Sequence, residues 1–344
     1  MTIMTQWQVA ADDRTGAYEL AGLLAGPDGI RVSVGEPSDA GVVDIATRTL
    51  DPAVAISVAS QLPVEGWLGH KIDSTLRGNW AAEVRARRMA SGRRLIVLPA
   101  WPDMGRTCVA GVVKLFEEPV GAMKDHLPEA AVLPHVAALH HWWQGSRPVA
   151  VCDVPDTDSM HALAAAVARF PDEQMLVAGP AGPLAAVLWA RWGGRPTPPA
   201  PPVVDLPALV VCGSASALAH RQLGQLRMVA PAVEVLAVDA LPVSADEADA
   251  ADGELHDGPA REVAARARER LAAGDVATLV IVGGDTAAAV LGDAPRLVGG
   301  MIAPGMPWSR DEHGGGPLVV TKAGAFGGVD ALARLFAGKT GRHV

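Results

Sequence analysis

Short apolar runs recur along the chain, each followed by a polar or small-residue turn and then by a stretch with helical spacing. Residues 7–10 read as a strand and 18–25 as a helix. Residues 31–34 and 42–45 read as strands, 53–61 as a helix, and 67–72 as a strand leading to a helix over 80–89. After a strand at 95–98 the signal weakens from 114 to 148. It resumes with a strand at 149–154, a helix at 159–170, a strand at 175–178 and a helix at 184–192. Residues 193–202 carry glycines and then a run of prolines, which continue neither helix nor central strand, so they mark a semi-rigid connector. Beyond it come a strand at 209–212, a helix at 218–228, an acidic loop at 244–259 and a helix at 261–273. Buried strands follow at 279–282 and 318–320. Strands that alternate with helices imply parallel sheets. The expected fold is α/β in two domains, each a mainly parallel sheet with helices on both faces, with the active site in the cleft between them. The expected boundaries are 1–195 for a substrate domain, 196–207 for the Pro-rich linker and 208–344 for a nucleotide domain.

The turns carry the chemistry, because ligands bind beyond the carboxyl ends of strands in open parallel sheets. In the first half these turns hold Asp12 and Asp13, then Arg48, then the decapeptide from His70 to Asn79, then Asp103 and Arg106. Lys71 offers a compact charge and Arg77 a planar fork for a carboxylate or phosphate, while Asp73, Ser74 and Thr75 suit hydroxyls. If the turns converge, Asp12, Asp13, Arg48, Lys71, Asp73, Arg77, Asp103 and Arg106 line one pocket suited to a polyhydroxylated acid. In the second half the turns are small: Gly213-Ser214-Ala215-Ser216, Gly283-Gly284-Asp285-Thr286, and residues 321–328 with Gly324. Backbone amides freed by glycine suit phosphates. Asp285 is placed to meet a ribose hydroxyl or a magnesium-bound water, and Gly299-Gly300 and Gly305 add further glycine-rich backbone. Neither a Walker A sequence nor a complete dinucleotide fingerprint is present.

Composition narrows the field. At 344 residues the chain exceeds one ordinary core. A formal net charge of -9 counts against a nucleic-acid partner, and no apolar run is long enough to span a membrane. The start of the chain lacks a secretory pattern, so a cytoplasmic location is expected. Cys108, Cys152 and Cys212 are widely spaced and are expected to be reduced and packed. The histidines at 126, 135, 140 and 141 match no metal-ligand spacing and are read as packing.

The segments 11–17, 71–79, 99–107 and 283–286 together resemble the four-carbon acid sugar kinases, and the likeness runs over nearly the whole chain. Lys71-Ile72-Asp73-Ser74-Thr75-Leu76-Arg77-Gly78 is its most specific part. The resemblance implies an acid-sugar domain followed by an ATP domain, and phosphorylation of threonate, erythronate or 3-oxo-tetronate with ATP and Mg2+. It assigns the sugar acid to Asp12, Asp13, Asp73 and Arg77, and the nucleotide to Ser214, Ser216, Gly283, Gly284, Asp285, Thr286 and Gly324. The chain departs from the family pattern in having Arg14 for a usual leucine, Tyr18-Glu19 for Asn-Asp, and Pro180, Ala323 and Ala325 at other usually polar positions.

Within that reading, Asp13 is the first choice to accept the hydroxyl proton, with Asp12 and Asp73 next, and Arg77 and Lys71 clamp the carboxylate or the moving phosphoryl group. The partners expected are a small sugar acid and ATP, with a homodimer as the assembly to test. Two readings compete. One is a nucleotide-dependent hydroxy-acid oxidoreductase, which the missing fingerprint disfavours. The other is a descendant that binds ATP and acid without turnover.

Overall fold

A computed structural model describes residues 7–37, 40–239, 257–324 and 326–337. It falls into two compact units, Met1–Leu24 with Val32–Thr197, and Ala25–Arg31 with Pro198–Val344.

The first unit contains β1 (Trp7–Ala11), α1 (Arg14–Leu24), β2 (Ile30–Val34, whose first residues count with the second unit), β3 (Ala40–Asp44), α2 (Pro52–Ser60), β4 (Trp67–Lys71), α3 (Trp80–Ser91) and β5 (Arg94–Val97). It continues with β6 (Arg106–Val109), β7 (Val112–Leu115), β8 (Glu118–Ala122), α4 (Met123–His126), β9 (Ala131–Leu133) and α5 (Val136–Gln144). Its last elements are β10 (Val149–Cys152), α6 (Thr157–Val167), β11 (Met175–Gly179) and α7 (Ala181–Trp192). The strand order is β2-β3-β1-β4-β11-β5-β10-β9, and every pairing in it is parallel. Every residue of β1, β4, β10 and β11 is buried, as strands covered on both faces must be. The weakly patterned 114–148 stretch holds part of a small antiparallel sheet, β6-β7-β8, together with short elements. β8 is exposed or half-exposed along its length and so carries no burial signature.

α3 is tied to β4 through a buried network. His70 Nε2 lies 2.9 Å from Glu83 Oε2, and Arg87 donates to the Gly69 carbonyl at 2.5 Å. The decapeptide between them is therefore anchored at both ends. Its Asn79 amide donates to the carbonyls of Thr47 at 2.9 Å and Leu50 at 2.8 Å, stitching it to the turn after β3.

The second unit contains β12 (Ala208–Cys212), α8 (Ala217–Val229), β13 (Glu234–Ala237), α9 (Asp257–Ala272), β14 (Thr278–Val282), α10 (Gly284–Leu291), β15 (Arg296–Ala303), β16 (Met306–Asp311), β17 (Leu318–Lys322) and α11 (Ala331–Leu335). The order is β13-β12-β14-β17-β16-β15. The first four strands are parallel, and β16 runs antiparallel to both neighbours. Alternation along β12 explains the two covered faces. Val210 and Cys212 pack with Leu223 of α8 and Leu332 of α11, while Leu209 and Val211 pack with Ala264 of α9 and Val290 of α10. Gly299, Gly300 and Gly305 belong to the β15–β16 hairpin. A Cβ on Gly299 would meet the Trp308 ring at 2.1 Å, and Gly305 takes a φ of +68° at the turn. The acidic stretch read as a loop lies largely outside the described residues, and α9 already begins at Asp257. All three cysteines are free and buried. Among the described residues, no helix is long and apolar enough to cross a membrane.

Arg14, the first departure from the family pattern, opens α1 and is only 2 % exposed. Its Nε donates to Asp44 Oδ2 at 2.6 Å, and Tyr18, one turn later, lies in its field. Burial works against this guanidinium's charge, but Asp44 overrides it and holds the pKa above the ordinary value. Replacing Arg14 by leucine is therefore expected to leave a buried, uncompensated carboxylate and to cost about 3 kcal/mol in urea unfolding. Adding Asp44→Asn to that variant is expected to recover most of the loss.

Candidate active site

The parallel order brings the carboxyl ends of β1, β3 and β4 side by side, and the turns that follow them are welded together by charge. Arg48, after β3, donates to both oxygens of Asp12 at 2.8 Å and to Asp13 Oδ1 at 2.8 Å. It also lies 3.5 Å from Asp73. Lys71, the last residue of β4, is 3.2 Å from Asp13 and 3.6 Å from Asp12. Gly16 makes this possible, because a Cβ there would sit 2.0 Å from Lys71 Nζ. Asp73 accepts from Thr75 Oγ1 at 2.5 Å and from Arg77 Nε at 3.1 Å, in a local turn built on its own carboxylate. The left-handed backbone at Leu76 (φ +64°) and Gly78 (φ +82°) lets the turn fold back against Arg48.

Arg106 is buried and interacts electrostatically with Glu19, Asp73 and Arg77. Burial lowers its pKa from the ordinary value. Asp103 does not join the group. It accepts from Thr157 Oγ1 at 2.5 Å, away from the charges, because its short 3-10 turn points it toward α6. The structure thus groups Asp12, Asp13, Arg48, Lys71, Asp73, Arg77 and Arg106, and adds Glu19, which the sequence marked only as a departure.

The carboxylates differ in kind. Asp12 is wholly buried with both oxygens on Arg48, so it sets that guanidinium in place. Asp13 takes hydrogen bonds from Thr15 Oγ1 at 2.5 Å and the Gly16 amide at 3.1 Å. Burial alone would raise its pKa, but Arg48 and Lys71 hold it well below the carboxylate range, and Arg48 and Arg77 do the same for Asp73. Carboxylates held this strongly ionised accept hydrogen bonds well and protons poorly, which weighs against Asp13 as the base. Glu19 behaves in the opposite way. Burial is the largest influence on it and pushes its pKa up to about 7, despite the pull of Lys71.

In the second unit the turns after β12, β14 and β17 adjoin. A Cβ on Gly213 would lie 2.2 Å from Thr286 Oγ1, and the Gly283 amide donates to the Lys322 carbonyl at 2.9 Å. Gly283 caps α10 with a φ of +113°, Gly284 and the exposed Asp285 form its first turn, and Thr286 is buried behind them. The Thr286 hydroxyl has no hydrogen-bond partner among the described residues. Ser214 Oγ accepts from the Ser216 amide at 3.3 Å, and Ser216 precedes α8. The third turn is held by two residues absent from the expected set. Lys322, only 1 % exposed, donates to the carbonyls of Ala323 at 2.7 Å and Gly324 at 3.2 Å. Gln222 donates from one amide nitrogen to Phe326 and Gly328, each at 2.9 Å. Ala325 lies outside the described residues. Small backbone, a helix amino terminus and a buried unsatisfied hydroxyl together fit a phosphate chain.

Two family models match the chain. A family described as a sugar-binding N-terminal domain matches residues 7–131, and one described as a nucleotide-binding C-terminal domain matches residues 260–332. The D-threonate kinase of Bordetella bronchiseptica is 31% identical over 325 residues, covering 77% of this chain and 76% of that protein. The D-threonate kinase of Cupriavidus necator is 31% identical over 277 residues, covering 64% of this chain and 63% of its own. A solved structure from Salmonella typhimurium LT2 superimposes with a TM-score of 0.73 at 21% identity, covering 96% of this chain and 98% of that one. One from Haemophilus influenzae gives 0.65 at 21% identity, covering 95% and 98%. These two likenesses establish the shared fold.

Arg48→Met removes the partner common to three carboxylates. At neutral pH it is expected to lower stability by about 3 kcal/mol. Because Asp13 and Asp73 have depressed pKa values, the stability they contribute is complete above their ordinary value of 3.8 and is lost as the pH falls below it. Thermal melts should therefore show the gap between native protein and variant closing on acidification through that range.

Proposed function

The chain belongs to the four-carbon acid sugar kinase family and is a carbohydrate-acid kinase, and from that premise we propose that it transfers the terminal phosphoryl group of ATP to a hydroxyl of a four-carbon sugar acid such as threonate, erythronate or 3-oxo-tetronate. The observation that carries the substrate class is the charge cluster. Arg48, Lys71, Arg77 and Arg106 face Asp12, Asp13, Asp73 and Glu19, a mixture of cations for a substrate carboxylate and hydrogen-bond acceptors for several hydroxyls. Arg77, whose side chain is 39 % exposed, is the best placed of these to receive an incoming anion. Lys71 supplies a second positive contact, and Asp13 and Asp73 accept from substrate hydroxyls while staying ionised.

The glycine turns would hold the nucleotide. Gly283, Gly284 and the Thr286 hydroxyl suit the phosphates, Ser214 and Ser216 flank them, and Gly324 lies on the turn held by Lys322. Among the described residues, no group of three or more His, Cys, Asp or Glu side chains forms a metal cage. Asp285 would be the protein contact of a magnesium ion bound with the nucleotide, and the ion would supply neutralisation of the charge that develops on the phosphates. Catalysis would rest mainly on positioning and charge neutralisation. The departure at Arg14 is accounted for by its pairing with Asp44, which lies among buried groups of the core, so it gives no ground for a loss of activity.

ADP release, followed across stereoisomers of threonate, erythronate and 3-oxo-tetronate and across longer aldonates with magnesium present, is expected to show turnover on a four-carbon acid and weaker turnover on the longer ones. ATP hydrolysis that no acid accelerates would overturn the reading. Thr286→Val should separate binding from folding. It removes an unsatisfied buried hydroxyl, so the thermal midpoint without ligand is expected to hold or rise, while the KM for ATP rises about tenfold.

A further inference from the structure

We propose that the Glu19 carboxylate is the catalytic base that takes the proton from the acceptor hydroxyl, an assignment that rests on the sugar-acid kinase reading above. As the hydroxyl oxygen forms its bond to the terminal phosphorus, the O–H bond breaks toward a Glu19 oxygen. The bond from that phosphorus to the bridging oxygen breaks in turn, and its electron pair leaves with the nucleoside diphosphate.

The assignment follows first from elimination among the carboxylates of the cluster. Both Asp12 oxygens are occupied by Arg48. Asp13 is shared among Arg48, Lys71, Thr15 and the Gly16 amide, and Asp73 among Arg77, Thr75 and Arg48. A proton moved to any of these would cost the ion pairs that hold the turns together. Glu19, by contrast, makes neither a hydrogen bond nor an ion pair among the described residues.

Placement supplies the second argument. Glu19 follows Gly16 by three positions on α1, so it shares the helix face on which Lys71 Nζ packs against Gly16. The groups whose charge it senses come from separate elements: Lys71 from β4, Asp13 from the turn after β1, Arg106 from β6 and Asp73 from the turn after β4. It is thus directed at the same cluster as the proposed anion site, and it is only partly buried, which leaves it accessible to a ligand.

Protonation chemistry agrees with the geometry. Burial raises the Glu19 pKa most, Lys71 and Arg106 pull it down, Asp13 and Asp73 push it up, and it settles at about 7. A base is most effective when its pKa lies near the working pH. The aspartates, held ionised by the cations, create a local field in which the added negative charge of a second carboxylate is disfavoured.

The test compares native enzyme with Glu19→Gln, Glu19→Asp and Asp13→Asn. Glu19→Gln is expected to lower kcat about 100-fold or more, with KM for both substrates within about threefold of native. Glu19→Asp should keep intermediate turnover. In native enzyme, kcat/KM should fall on the acid side of about 7, and that limb should vanish from the residual rate of Glu19→Gln and persist in Asp13→Asn. A readout without turnover uses the same group. Its raised pKa means that the stability it contributes is complete below its ordinary value of 4.5 and is lost as the pH rises through about 7. The native thermal midpoint should show that decline, and Glu19→Gln should lack it. Native-like kcat in Glu19→Gln, or a lowered kcat with an unchanged acid limb, would overturn the role of Glu19 while leaving the kinase reading intact. A native enzyme inactive on every sugar acid would overturn both.

Discussion

One guanidinium organises the first unit's site. Arg48 reaches across the ends of adjacent parallel strands to Asp12 and Asp13 on one side and Asp73 on the other. Arg48 is the partner common to all three carboxylates, and it offsets a desolvation cost of several kcal/mol that each would carry if isolated. The turns are therefore interdependent. Gly16 must lack a side chain for Lys71 to enter, Asn79 must bridge to the turn after β3, and Gly78 must fold back on Arg48. Charge that would destabilise a core here defines the shape of a pocket edge.

The second unit works by the opposite means. Its turns converge through missing side chains. Gly213 leaves room for Thr286, and Gly283 adopts a backbone that a larger residue would strain. Where backbone carbonyls would otherwise go unpaired, Lys322 and Gln222 reach in to satisfy them, so the third turn holds its course without regular structure. A site for phosphates built from amides and small residues needs little charge of its own, which is consistent with the acidic balance of the whole chain.

The departures from the family pattern take on different meanings once placed. Arg14 pairs with Asp44, Tyr18 interacts with Arg14, and both belong to packing. Glu19, next in sequence to Tyr18, instead feels the charges of Lys71, Asp13, Arg106 and Asp73. Adjacent helical residues face different surroundings, about 100° apart around the axis, so no reading of the pair as a unit could have separated them.

Much of this protein was legible in its sequence, because strand and helix periodicity is a local property and ligand-bearing turns sit at predictable ends of parallel strands. The strands at β1, β4, β12, β14 and β17, the polar decapeptide and the Gly283–Thr286 turn could all be read in that way. Tertiary structure decided what depends on contact between distant segments. It turned Asp103 away to Thr157, assigned Gly299 and Gly300 to packing against Trp308, and brought in Lys322 and Gln222 as supports. It also set neighbouring carboxylates apart: the surrounding cations hold Asp13 and Asp73 ionised, whereas burial pushes the pKa of Glu19 up to about 7. Burial and the field of surrounding charges set a carboxylate's proton affinity, and both arise only when the chain closes on itself.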